Sequence, residues 1–447
     1  MSEPRTISKN ITQTFIVQIP NYILGIVAGI FLTRHLGPQG KGIYTLLLTN
    51  VQLLVMFLGL NLPGSIQYFM ANKKLDATRL KGLSLLLLLL GTLIVFFTLF
   101  LIPGGGEAFL TRDFDTFYFR CYILISFVIT NFNALLTGFL QGSHQFRSVN
   151  RLSLLNGILN FIIFTSLYYL SRKHLVNAQL SEVLFLTVVV LLVNTIVLLA
   201  AFRKHVRIDL GFHFSSEDLK PLLKFLIPAY FSVLVNFFNY RLTIWLVNYY
   251  DGTENLGYFS LALNFAQMML MVTLAINTVL FPYFASKSDW ESALNDFRFA
   301  LKINMGLMLS ATLVLALFAS FLIPLFYGEV FNPAVGAVKI LAIGTFFCSQ
   351  SQVFGHFLGA RNMNWVNTIV YSSALVVLGI LGIILTPLYG IEGAALASGA
   401  SYVVMFTVFC VFVKAKYNVP LWSLFVVTKS DIERGKSILN RIAKKSV

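Results

Sequence analysis

"RHLGPQGKGIYTLLLTNVQ", Arg34–Gln52, sets Lys41 among three glycines and lies between two strongly apolar runs. A lysine in a glycine-rich loop is the chemistry of a phosphate cradle, but glycines also serve to turn a chain between two helices. The cradle needs a glycine at position 35 and Ser or Thr after the lysine. His35 and Gly42 stand there instead. A phosphate loop also follows a buried strand, whereas this stretch follows an apolar run long enough to cross a bilayer, about 20 residues.

A second copy favours the turn. "GIYTLLLTNVQ" (Gly42–Gln52) aligns without gaps on "GYFSLALNFAQ" (Gly257–Gln267), 215 residues later. Gly, Leu, Leu and Gln are identical. At the same offset Tyr68-Phe69 meets Tyr283-Phe284. Upstream, across a three-residue gap, "NYILGI" (Asn21–Ile26) meets "NYRLTI" (Asn239–Ile244). Lys41 has no counterpart in the second copy. The glycines therefore predict a tight turn between two spans, with Pro38 fixing the chain.

Composition extends this to the whole chain. Of 447 residues, 57% are hydrophobic and 11% charged, too little charge to cover a soluble protein of this length. Apolar runs recur from end to end, too long for barrel strands. The sequence predicts an all-α membrane protein of about twelve spans, near 12–33, 43–70, 83–102, 117–140, 152–171, 181–202, 225–249, 257–286, 301–326, 334–358, 366–387 and 391–413. The first run lacks a small-residue cleavage site and reads as a retained span. The repeat divides the chain into six-helix bundles at 1–202 and 225–413, a linker at 203–224 and a basic tail at 414–447. With the N-terminus in the cytoplasm, 25 of the 33 Lys and Arg fall on the cytoplasmic side and 6 outside. That bias places both termini inside and assigns the excess positive charge to topology, so no nucleic-acid partner is expected. Cys121, Cys348 and Cys410 are widely spaced within apolar runs and imply neither disulfides nor a metal. His144 and His356 have no partners at ligand spacing, and no cofactor motif occurs.

Duplicated membrane proteins of this kind are typically transporters with a site at the repeat interface. Span one carries Gln18, Asn21, Tyr22 and Gly25, and span seven carries Asn236, Asn239, Tyr240 and Thr243 at the aligned positions. Spacing i, i+3, i+4, i+7 puts each set on one helical face. Polar groups in a bilayer must face protein or water, so two such stripes suggest a shared cavity; the bland alternative for each amide is interhelical glue. Asn50, Asn61, Gln67, Asn264 and Asn277 could extend the stripes, and Gln52 and Gln267 are identical across the copies. Arg241 is the intramembrane arginine and a substrate candidate, although a regular helix turns it about 140° from Asn236. Arg34 is a further candidate, with snorkelling as its bland explanation. All 18 Asp and Glu fall in loops, tails or span ends. A cavity without acids suits an anion and lacks the carboxylate that cation-coupled export commonly uses. In the tail, Ser430 and Glu433 form a capping box before a basic helix expected to lie on anionic lipid.

"RHLGPQGKGIYTL", "LKPLLKFLIPAYFS" and above all "LTPLYGIEGAALASGASYVV" (Leu385–Val404) resemble the signatures of polysaccharide-export membrane proteins. The family is the Wzx-like lipid-linked oligosaccharide flippases of the multidrug/oligosaccharidyl-lipid/polysaccharide exporter superfamily. The resemblance implies a V-shaped, MATE-like pair of bundles in the bacterial inner membrane. They would move an undecaprenyl-pyrophosphate-linked glycan to the outer leaflet for surface polysaccharide such as lipopolysaccharide. Anionic lipids and other polysaccharide assembly proteins are further expected partners. Many relatives carry an acid two residues after the span-seven arginine; Thr243 stands there. Two alternatives stay open: a drug or small-cation exporter of the same fold, which would need cavity acids, and a membrane-embedded sugar transferase or polymerase, which would need large polar loops. The largest outer loop is short, with Asp113 and Asp115 in it.

Overall fold

A computed structural model describes residues 4–71, 77–102, 116–174, 179–206, 216–286, 289–361, 363–429, 431 and 433; side chains are described from Pro20 in the first helix and from Tyr230 in the seventh. Within these residues all regular secondary structure is helical. The helices are α1 (Pro4–Gly59), α2 (Leu62–Ala71), α3 (Ala77–Phe96, extended by a π turn to Leu101), α4 (Phe117–Gly142), α5 (Phe146–Arg172), α6 (Leu180–His205), α7 (Ser216–Ser286), α8 (Trp290–Tyr327), α9 (Ala334–Ala360), α10 (Asn364–Tyr417) and α11 (Trp422–Phe425). A helix satisfies all its backbone groups internally, which a bilayer demands. Side chains such as Leu317, Phe321 and Ile380 are left exposed, as expected of a lipid-facing surface.

Nine of the described helices are long and apolar enough to cross a membrane. Three of them, α1, α7 and α10, are two spans joined at one non-helical glycine: Gly37 (φ 65°, ψ −177°), Gly252 (φ 82°, ψ 177°) and Gly390 (φ 57°, ψ −137°). Nine helices with three such breaks make twelve spans. Positive φ with ψ near 180° is open essentially to glycine alone. Gly37 and Gly252 lie 215 residues apart, at the offset of the sequence repeat, and adopt the same conformation. The turn is tighter than the sequence suggested: helix resumes at Pro38. The second span instead breaks later, at Leu60 and Asn61, both left-handed (φ 48° and 53°). The aligned positions of the second copy, 275 and 276, lie inside continuous α7.

The chain forms two compact units. One holds Met1–Ser260 with Pro324–Phe331; the other holds Leu261–Ile323 with Asn332–Val447. In the first, Leu47, Leu99, Ile123, Phe127, Val183 and Leu184 centre a core drawn from α1, α3, α4 and α6. The repeat-related turns meet there, backbone to backbone. A Cβ added to Gly42 would strike the Thr253 carbonyl, and one added to Gly257 would strike the Pro38 carbonyl. Thr253 is the repeat partner of Pro38, so the two contacts are one contact made twice.

In the second unit, Phe284, Phe297, Phe354, Phe357 and Phe409 form a chain of ring contacts. The small residues after Gly390 let helices close up. Gly393 sits against the Leu385 carbonyl, and a Cβ on Gly344 would come within 2.6 Å of the Gly399 Cα. Lys302 on α8 holds Asp431 at 2.7 Å. Asp431 also accepts hydrogen bonds from the Thr428 N–H and hydroxyl. Residues 207–215 of the linker, Asp113, Asp115, Ser430 of the capping box and the basic helix beyond 433 lie outside the described residues.

Gly42→Ala and Gly257→Ala are each expected to destabilise the protein by about 1–3 kcal/mol, the usual range for overpacking. Gly25→Ala, with nothing within 4 Å of its Cβ, should stabilise the helix by up to ~1 kcal/mol. Thermal melting of the three variants checks the contrast. Burial would raise the Asp431 carboxyl, but the Lys302 and Thr428 hydrogen bonds outweigh it and hold it down at about 2, against an ordinary 3.8. A depressed acid contributes stability above its unfolded value and loses it as pH falls toward the folded one. Amide exchange at 428, 429 and 431 should therefore stay protected down to about pH 4 and open between there and pH 2. Asp431→Asn should show that opening already at neutral pH.

Candidate functional site

Beyond Gly37 the second span of α1 runs antiparallel to the first span of α7. Gly42 meets Thr253, the Trp245 indole N–H donates to Asn50 Oδ1 at 2.8 Å, and the Phe57 and Phe238 rings lie 6.2 Å apart. Asn50 is buried, so the indole hydrogen bond satisfies a costly amide. The pairing fixes which side of α7 points at α1, and Arg241, one turn before Trp245, is half-buried on it.

Lys41 occupies the first turn after Pro38, and only 7% of it is exposed. Its ammonium lies 5.7 Å from the centre of the Tyr44 ring. The charge that acts on it is Arg241, of like sign. Among the described residues Lys41 has no carboxylate partner. The one buried carboxylate described, Asp296, lies in the second unit near the Trp290 end of α8. Burying a cation without a counter-charge, within reach of another cation's field, is unfavourable unless something negative joins it. By sequence Lys41 reads as part of a turn, and its one distinguishing signal is the mismatch between copies, since Leu256 stands at the equivalent place.

The amide stripes divide. Asn21 donates to Ser153 Oγ on α5 at 2.9 Å and packs where Gly157 leaves room, so it ties α1 to α5. Tyr22 is half-buried beside it on α1. The Gln18 side chain lies outside the described residues. Asn239 is buried and donates to the Val235 carbonyl on its own helix at 3.0 Å. Asn236 and Tyr240 are half-buried on the same span. Arg34 donates to the Leu325 carbonyl at 2.5 Å, a cation at the C-terminal end of α8. Gln267 belongs to the second unit. There Thr273 donates to Asn304, whose amide in turn donates to Ser349 and Gln350, a buried network across α7, α8 and α9.

Gln52 lines a partly open cavity of about 280 Å³ in the first unit. The break at Leu60–Asn61 forms its floor, α4 contributes Thr130 and Asn131, and α7 contributes Val233 and Phe237. The structure thus places Gln52, Arg241, Lys41 and Asn50 along one α1–α7 seam, and gives Asn21 and Arg34 to helix-tying contacts.

The model of the family described as polysaccharide biosynthesis protein matches residues 7–288. No curated protein matches the chain. Solved structures do. An inward-facing multidrug resistance MATE family transporter of the MOP superfamily aligns with TM-score 0.70 and 17% identity, covering 90% of this chain and 94% of its own. The lipid II flippase MurJ, in an inward closed conformation, aligns with TM-score 0.65 and 16% identity, covering 92% and 89%. A MOP superfamily transporter from Pyrococcus furiosus, described as having a binding pocket of reverse polarity, aligns with TM-score 0.62 and 17% identity, covering 92% and 95%. At such identities these likenesses speak for the fold. With a family match over more than half its length, the chain belongs to the polysaccharide biosynthesis protein family and is a multi-pass membrane protein with the MOP-superfamily fold.

Proposed function

We propose that the protein is a flippase that carries an undecaprenyl-pyrophosphate-linked oligosaccharide from the cytoplasmic to the outer leaflet of a bacterial inner membrane. The observation that supports this reading is the buried Lys41, which lies by a tyrosine ring, feels the like charge of Arg241 and has no carboxylate partner among the described residues. A diphosphate is the anion that a polysaccharide-biosynthesis transporter would meet inside a membrane. Lys41 gains a counter-charge when it enters and gives it up when it leaves. Binding is then strong in transit and weak at rest, as turnover requires.

In this reading the halves, 1–202 and 225–413, alternate access about the seam, with both termini and the 203–224 linker in the cytoplasm. The basic cytoplasmic segments and the 414–447 tail gather anionic headgroups at the membrane surface. A headgroup of about two negative charges leaving a cell with a negative interior at ~100 mV gains about 4–5 kcal/mol, at roughly 2.3 kcal/mol per charge. The membrane potential can drive export without an acid in the spans. A small-cation exporter would need such an acid where this chain has Lys41 and Arg241.

Two measurements test the reading. Lys41→Met removes a buried like charge and should raise thermal stability by about 0.5–2 kcal/mol while losing function, the usual exchange at a site held ready for a ligand. In proteoliposomes, a fluorescent undecaprenyl-pyrophosphate sugar should change leaflets at a rate set by an imposed potential, and Arg241→Ala and Lys41→Met should each slow it at least tenfold. Movement driven by a pH gradient alone at zero potential, or efflux of an organic cation with no headgroup movement, would sink the proposal.

A further inference from the structure

The cavity under the broken second span is lined by four neutral polar side chains, Gln52, Asn61, Thr130 and Asn131, against an apolar wall that includes Val233 and Phe237. None of these four side chains makes a hydrogen bond to the described residues. Asn131 is the informative one. It is 97% buried, yet its amide lines the cavity, and an added Cβ at Gly59 would sit 3.1 Å from its Oδ1. Buried amides in proteins are nearly always paired. The backbone at the cavity is unusual in the same place: Leu60 and Asn61 are both left-handed, and for leucine that is a strained conformation. The second copy has neither the break nor the amide at 276, where isoleucine stands.

We infer that this cavity is a subsite for a neutral pyranose ring of the translocated headgroup. Three amides and a hydroxyl offer both donors and acceptors, which suits adjacent ring hydroxyls, and the wall of Phe237, Val233 and Met56 suits the apolar face of the ring. Among the described residues no charged side chain lines the cavity, so a phosphate has no cation to pair with there. The volume, about 280 Å³, lies just below the usual range of ligand sites and fits a sugar unit rather than a polyprenyl chain. Phe237 is one turn of α7 from Arg241, which sets the ring next to the cation that would hold the diphosphate. The inference rests on the flippase reading and adds that the first sugar is recognised in the N-terminal unit by uncharged groups.

The test uses the full-length protein in nanodiscs and two probes, undecaprenyl pyrophosphate and undecaprenyl pyrophosphate carrying one hexose. The wild type should bind the glycosylated lipid at least tenfold more tightly than the bare one. Asn131→Leu should bring that ratio close to one, and Thr130→Val and Gln52→Leu should each reduce it severalfold. The two milder variants read the same ratio should Asn131→Leu fail to fold. A wild-type ratio near one, or variants that keep the wild-type ratio, overturn the sugar subsite and leave the flippase reading standing. A wild type that binds neither lipid overturns the flippase reading and this inference with it.

Discussion

A backbone N–H or C=O in hydrocarbon has no water to bind, so a reversal that interrupts the helix for a single residue leaves the fewest backbone groups to satisfy. This protein reverses at Gly37, Gly252 and Gly390 with one non-helical residue each. The economy has a geometric result. Because the first two turns are alike, the helices that leave them are alike, and their first turns cross with Gly42 on the Thr253 carbonyl and Gly257 on the Pro38 carbonyl. Close backbone contact of this kind is available only to residues without a side chain and is favoured in membranes, where van der Waals packing replaces the hydrophobic effect between helices. The antiparallel seam from Gly42 down to Phe57 inherits its register from that crossing.

The candidate site lies where the copies stop matching. The crossing is symmetric, but Lys41 faces no lysine in the second copy, where Leu256 is fully buried. The break at Leu60–Asn61 has no counterpart in α7. Two equal copies would make a symmetric seam of small and apolar residues, good for packing and indifferent to a ligand. A buried cation and an interrupted helix on one side alone cost stability, and a costly feature confined to one copy is better explained by a ligand than by the fold.

The fold was legible because periodic apolar length and a gapless repeat are properties of the sequence itself. The turn in "GPQGKG" could be read from its second copy, down to the offset that later joins Gly37 to Gly252. The site was legible only in part. Gln52 and Arg241 stand on the seam, but Asn21 is spent on Ser153, since helical spacing puts residues on one face without saying which neighbour that face meets. Thr130 and Asn131 carried no sequence signal. Their exposure to a cavity depends on a break at a leucine and an asparagine, and neither residue type announces left-handed backbone as a glycine does. Pro63, two residues on, was the one available hint, because a proline within a span disturbs the turn before it.

A charged group and a neutral cavity one helical turn apart also divide the work of recognition. In the proposed reading, the attraction of Lys41 and Arg241 for a diphosphate would be strong, non-directional and blind to the sugar it carries. Amides in a confined, largely apolar cavity add little attraction but discriminate, because a ring that cannot match them leaves polar groups unpaired. Binding strength from one and selectivity from the other would let sugar preference change by substitutions at Thr130, Asn131 or Asn61 without touching the electrical step. Under that proposal the cations would serve any lipid-linked glycan alike; the amides would not.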